Sequence, residues 1–143
     1  ARLEPVKETL RQMKKLGIWV EVTTLIIPGL NDDPSLLAQM AAFIVDKLGT
    51  ETPWHVSRFH PTYRMTDRRA TPVETLIRAR ETGIAAGLKY VYTGNLPGMG
   101  GENTTCPGCG ETVVTRSGFH ITDYRIKAGH CRGCGRAIDG IGM

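Results

Sequence analysis

Apolar residues recur every three or four positions in three stretches of the chain, and between those stretches they crowd into short β-branched runs. In the first stretch, LEPVKETLRQMKKLG, Leu3, Val6, Leu10 and Met13 fall on one helical face, and Gly17 offers a stop. IWVEVTTLII follows as a strand, and PGLNDD as a turn. Asp33 then caps a second helix with Pro34 at its first position, and Leu36, Leu37, Met40, Phe43 and Ile44 make its apolar face ahead of Gly49. WHVSRF reads as a second strand. TPVE, from Thr71 to Glu74, has the form of a capping box and opens a third helix carrying Leu76, Ile77 and Ile84, with Gly87 as its stop. KYVYTG is the third strand. Trp19 and Trp54 lie beside strands and are expected in the core, whereas Arg78 and Arg80 are expected on or beside the solvent face of the third helix.

Strands alternating with helices imply a parallel sheet and an α/β fold. Right-handed crossovers bring the three strand C-termini to one edge, where α/β proteins carry their sites. The loops expected there are PGLNDD, HPTYRMTDRR and GNLPGMGG, all polar and rich in glycine or charge. Asn31, Asp32 and Asn95 are expected to serve as turn residues in them. Three parallel strands leave two unpaired edges and call for cover on both faces. The expectation is therefore the C-terminal part of a larger, TIM-like (β/α) barrel. The alternative is a small α/β domain that hides its edges by oligomerising or by folding its last segment over one of them.

The pattern changes near residue 100. CPGCG and CRGCG hold all four cysteines, Cys106, Cys109, Cys131 and Cys134, as two C-x₂-C pairs separated by 21 residues. Each pair forms one tight knuckle, and a spacer slightly beyond the ~15–20 residues usual for such sites brings the second knuckle round to the first. Gly110 and Gly135 follow the pairs, where a positive φ lets backbone N–H groups turn toward sulfur. Between them, TVVTR and FHITDYRI flank Ser117-Gly118 as a hairpin. This predicts a zinc ribbon with structural Zn²⁺; a rubredoxin-like single iron and a pair of disulfides are the alternatives. Four thiolates complete a tetrahedral shell, so His120 and His130 are expected outside it, and the site has no open position for catalysis. The domain division expected is 1–100 for the α/β part and 101–143 for the ribbon.

Composition adds limits rather than chemistry. The 143 residues are 41% hydrophobic and 22% charged, with a formal charge of +4 that a filled four-thiolate zinc site would bring to about +2. No apolar run approaches the ~20 residues that span a bilayer, and free thiols fit a reducing, cytoplasmic setting. Arg64, Arg68 and Arg69 make the loop after His60 basic, next to Tyr63. On the hairpin, Arg116, Arg125 and Lys127 face Glu111 and Asp123 in near balance, which argues against nucleic acid as partner. A ribbon module that binds nucleic acid or protein stands as the alternative function.

Taken together and in order, WVEVTTLIIPGLNDD, PWHVSRFHPTYRMTD, TPVETL, AGLKYVYTGN and the two cysteine knuckles resemble the C-terminal part of radical S-adenosylmethionine (SAM) enzymes related to pyruvate formate-lyase activating enzyme, the AmmeMemoRadiSam subgroup in particular. The resemblance implies a partial (β/α)₆ barrel in a full-length parent. There, an N-terminal C-x₃-C-x₂-C motif holds a [4Fe–4S] cluster that cleaves SAM to a 5′-deoxyadenosyl radical. The substrate is a protein glycine, as in the activating enzymes, or a small molecule. SRFHP aligns with the end of a barrel strand where a histidine reaches SAM. The resemblance therefore assigns SAM contact to His60 and, two residues earlier, to Arg58; a substrate contact or a structural bond is the other role open to His60, and a salt bridge inside the barrel to Arg58. The cluster motif itself is absent from these residues, so this chain alone is expected to be inactive.

Overall fold

The computed structural model describes residues 2–96, 98–118 and 120–142. Three helices and three strands alternate: α1 (Leu3–Lys15), β1 (Val22–Ile26), α2 (Pro34–Leu48), β2 (Trp54–Arg58), α3 (Val73–Ala85) and β3 (Val91–Gly94). The strands form a parallel sheet in the order β1-β2-β3, with Val22 beside Trp54 and Trp54 beside Val91. The α/β architecture with a parallel sheet is thus present, and no described helix is long and apolar enough to cross a membrane. β1 is shorter than its apolar run: residues 18–21 approach the sheet as irregular chain.

Alternation along the strands gives the sheet two unlike faces. Trp54, Val56 and Val91 point toward α2 and α3 and form the first core with Ile26, Leu37, Ile44, Leu48 and Leu76. Thr23, Leu25, His55, Ser57, Tyr92 and Gly94 line the opposite face, on which Leu25 remains 43% exposed. α2 begins as its sequence predicts, with Asp33 Oδ1 accepting from the N–H groups of Ser35 and Leu36. The Phe43 ring, half-buried on α2, receives Lys7 and Arg11 of α1 at 5.3 and 5.2 Å from its centroid. α1 itself buries no residue, and Leu3 and Val6 are exposed despite their amphipathic spacing.

α3 departs from the sequence expectation in two ways. Its sheet-facing residues are Thr75, Leu76, Ala79 and Gly83, while Ile77 and Ile84 are exposed. The reason is the bulk of Trp54, which is fully buried: a Cβ on Gly83 would sit 2.9 Å from Trp54 Cε3 and from Val91 Cγ2, so only small residues fit above that indole. Thr71 also does not cap α3. Its buried hydroxyl donates to the Ile26 carbonyl (2.5 Å) and accepts from the Phe59 N–H (2.9 Å), tying the ends of β1 and β2 together. Arg80, half-buried beside the solvent face of α3, donates from Nε to the Val91 carbonyl at 3.1 Å and thereby covers part of the β3 edge. Gly101 covers another part, its carbonyl accepting from the Thr93 N–H at 3.0 Å.

After residue 100 the chain turns antiparallel. β4 (Thr104–Thr105), β5 (Thr112–Ser117) and β6 (His120–Tyr124) form one small sheet, and β7 (Ile126–Lys127) with β8 (His130–Cys131) forms a second hairpin. The predicted hairpin is therefore present, turning at Gly118 with φ +59°; Phe119, expected at the start of its second strand, lies outside the described residues. Pro97, in the loop after β3, also lies outside them. Val113, Val114, Ile126 and Ile138 form a second core with Cys106, Cys131 and, from the foot of β3, Tyr90.

Thr71→Val should cost about 2–3 kcal/mol in urea unfolding, because it leaves a buried carbonyl and a buried N–H without partners. Thr71→Ser should recover most of that loss. A Thr71→Val protein as stable as the parent would show that the hydroxyl does not hold the strand ends.

Candidate metal centre and sheet edge

The two cysteine knuckles are built alike. The Cys106 N–H donates to the Glu111 carbonyl and the Gly110 N–H to the Cys106 carbonyl, at 2.8 and 2.9 Å. Twenty-five residues on, the Cys131 N–H donates to Arg136 and the Gly135 N–H to Cys131, both at 2.9 Å. Gly110 and Gly135 close these turns at φ +76° and +73°, a conformation that a β-carbon disfavours. Gly108 is needed for space instead: a Cβ there would meet Arg136 Cδ at 2.7 Å and Cys134 Sγ at 3.4 Å.

The knuckles face each other so that all four sulfurs lie within 4.8 Å of one another. Cys106 Sγ is 3.6 Å from Cys134 Sγ, and Cys109 Sγ is 3.8 Å from Cys131 Sγ. Four sulfurs at ~2.3 Å from a central ion have tetrahedral edges of about 3.8 Å, so the group fits a tetrahedral metal. Disulfide bonds need ~2.05 Å and do not fit these separations. The Gly108 N–H points at Cys106 Sγ from 3.3 Å, as a support for thiolate charge. Burial resists ionisation of Cys106, but the backbone N–H groups of Cys109 and Gly108 and the thiols beside it bring the group down to about 7. For Cys109, a backbone bond from Glu111 favours the thiolate. The sulfurs of Cys134, Cys106 and Cys131, together with desolvation, outweigh it and push the thiol up to about 12. A cation among the four sulfurs would favour the thiolate form of each. His120 and His130 stand outside the cluster; His130 Nδ1 lies 2.7 Å from the Ala128 carbonyl instead.

The C-terminal ends of β1, β2 and β3 lie side by side at one sheet edge, as expected. Asn31 and Asp32 serve their own turn: Asn31 accepts from the Ile27 N–H and donates to the Leu25 carbonyl, and Asp32 accepts from Gly29, which has φ +74°. Arg68 ties the second loop to the first through the Pro28 carbonyl at 2.9 Å. Asn95, at φ +57°, donates to the Arg58 carbonyl at 3.1 Å, and its own carbonyl lies 3.5 Å from His60 Nε2. His60 is exposed at this edge. Arg58 is half-buried, with Nε donating to the Thr71 carbonyl at 2.8 Å. The strand ends at Arg58, so the alternation that would place His60 on the same face does not reach it. Tyr63, beyond His60, is 85% exposed, with Arg64 stacked 5.2 Å from its ring centroid.

A third group was not legible as a site in the sequence. Trp19, Glu21, His55, Tyr92 and Arg116 come together on the open face of the sheet, where the ribbon leans over it. Glu21 Oε1 accepts from Trp19 Nε1 at 3.0 Å, and Glu21 Oε2 lies 2.7 Å from His55 Nε2. The His55 ring stacks on Tyr92 with centroids 5.0 Å apart. Burial raises the Glu21 carboxyl, but the bonds from Trp19 and His55 and the charges of His55 and Arg116 hold it below its ordinary value. His55 and Tyr92 lie on different strands, and the pairing register that makes them neighbours is not written in either segment.

No family model matches the chain, and no solved structure does. It is 52% identical over 141 residues to "Uncharacterized protein MJ0808" of Methanocaldococcus jannaschii, an alignment that covers 97% of this chain and 42% of that protein. The chain therefore spans less than half the length of the curated relative it matches.

Protein purified under reducing conditions should carry one metal ion per chain by elemental analysis. Removing it with a chelator should abolish amide-exchange protection in β5 and β6 and leave α2 and β2 protected. Uniform loss of protection through the sheet would show that the ribbon and the α/β part fold as one unit.

Proposed function

We propose that the chain is the C-terminal portion of a radical SAM enzyme related to pyruvate formate-lyase activating enzyme, with a structural zinc ribbon appended to a partial (β/α) barrel. The observation that carries this reading is the convergence of three parallel strand ends on one polar edge, with the His60 imidazole exposed there beside the Asn95 carbonyl. Motifs resembling this enzyme group run through the chain in order, and the homologous protein is longer than the aligned segment. Among the described residues, β1 pairs on one side only, so further barrel strands have an edge on which to add.

On this reading the [4Fe–4S] cluster is held by residues outside these 143, since the four cysteines already form the ribbon site. When bound, the cluster and SAM supply the reductive cleavage that yields a 5′-deoxyadenosyl radical. His60 contributes an imidazole for a polar group of SAM. Arg58, engaged with the Thr71 carbonyl, fixes the strand end from which His60 departs. Zinc is the ion for the ribbon because four thiolates in a closed tetrahedral shell suit it and leave no position for substrate. The radical's target is a protein glycine or a small molecule.

In the full-length enzyme, His60→Ala should weaken SAM binding at least about tenfold in equilibrium dialysis, as loss of a hydrogen bond to a charged ligand does. Unchanged affinity would remove His60 from the SAM site. The 143-residue chain treated with iron and sulfide under anaerobic conditions should show no four-iron cluster by absorbance or electron paramagnetic resonance. A stoichiometric cluster in it would overturn the zinc assignment.

A further inference from the structure

The ribbon does more than sit beside the sheet: with the sheet's open face it forms a solvent-open cleft of about 650 Å³. That volume lies within the range of small-molecule sites. One wall is aromatic and held rigidly. Glu21 orients both Trp19 and His55, His55 stacks on Tyr92, and the Tyr92 hydroxyl is 3.0 Å from Thr104 Oγ1. Pinning aromatic groups at both ends lowers the conformational cost of closing on a ligand. The other wall brings Arg116 from β5, its guanidinium 5.8 Å from the Tyr92 centroid.

The charges in the cleft differ in how fully they are engaged. Glu21 accepts from Trp19 and faces His55. Asp139 accepts from Lys89 Nζ at 2.9 Å and from the Tyr90 hydroxyl at 3.0 Å. Glu102 also lines the cleft, and one of its carboxylate oxygens is buried and accepts no hydrogen bond among the described residues. Arg116 is half-buried and uses only Nη1, which donates to the Glu102 carbonyl and to Thr104 Oγ1. Its Nε and Nη2 donors meet no acceptor among the described residues, and its charge acts on Glu21 without a direct ion pair there. A partly desolvated guanidinium with a free edge is suited to a carboxylate, which it can meet in two parallel bonds.

We propose that this cleft binds a small organic anion, a flat apolar body bearing a carboxylate, with Arg116 as the anchor and the indole of Trp19 as the apolar wall. The site uses residues from both parts of the chain, so the ribbon completes it. It requires neither the iron–sulfur cluster nor SAM, and its test is independent of the radical-enzyme reading.

The test is a ¹⁵N-NMR titration of the metal-loaded chain with indole-3-acetate and with its neutral isostere indole-3-acetamide. The Trp19 Nε1 resonance reports the cleft, and that of Trp54, fully buried on the opposite face of the sheet, serves as the internal control. Indole-3-acetate should move Trp19 with a Kd of about 1 mM or tighter and leave Trp54 in place, while the amide binds at least about tenfold more weakly. Arg116→Gln should reduce carboxylate binding by a similar factor. Equal affinity for acid and amide, no movement of Trp19, or undiminished binding by a folded Arg116→Gln protein would each overturn the proposal. If that variant does not fold, the acid–amide comparison in the unaltered chain decides alone.

Discussion

Tyr90 belongs to two structures at once, and the arrangement of the molecule depends on that. Its carbonyl accepts from the Trp54 N–H at 3.0 Å, which sets the start of the β2–β3 pairing. Its ring is buried among Cys106, Val113, Val114 and Ile138 in the ribbon core. Its hydroxyl donates to Asp139 Oδ2 and accepts from the Asp139 N–H, and Lys89 reaches the same carboxylate. Burial first, and then the Asp139 carboxylate beside it, drive the phenol well above its ordinary value, so it remains a neutral donor. A strand that could have been an open edge of the parallel sheet thus seats the ribbon.

The ribbon needs that seat and a constraint at its four cysteines for one reason, which is size. A unit of about 40 residues buries too little apolar surface to outweigh the entropy of ordering its chain. The second core holds few aliphatic side chains, Val113, Val114, Ile126 and Ile138, and the remaining volume is filled by two cysteines and a tyrosine from outside. A metal ion held by the four sulfurs would convert them from weak apolar groups into the strongest constraint in that region. The repeated hydrogen-bond pattern of the two knuckles follows from the repeated C-x-G-C-G sequence, with glycine where φ must be positive.

What the sequence made legible, and what it did not, divides along the range of the interactions. Asp33 with Pro34, the stops at Gly17 and Gly49, the turn bonds of Asn31 and Asp32, and the cysteine knuckles are all local, each decided within a few residues, and each stands where the pattern placed it. Thr71 misled because its TPVE context is that of a helix cap, while its hydroxyl is taken by strand ends 12 and 45 residues away. Ile77 and Ile84 misled because the space above the sheet was already occupied by Trp54, and hydrophobic periodicity does not count volume. β4 and the β7–β8 hairpin were missed because strands of two residues carry no periodicity at all.

The same distinction explains why the metal centre was visible from the sequence and the cleft was not. Four identical ligands at fixed spacing declare their chemistry wherever they fold. Glu21, His55, Tyr92 and Arg116 acquire theirs only from parallel register and from the ribbon's position over β3. His55 meets Tyr92 because Trp54 pairs with Val91, one residue earlier on each strand. Arg116 reaches Tyr92 because Tyr90, two residues before it on the same strand, is locked into the ribbon core. The four-cysteine cluster joins the two knuckles of the ribbon, the ribbon core takes up Tyr90, and Tyr90 sets where Arg116 stands relative to the open face of the sheet. A four-cysteine cluster that does not line the cleft can therefore still determine whether the sheet has a second wall.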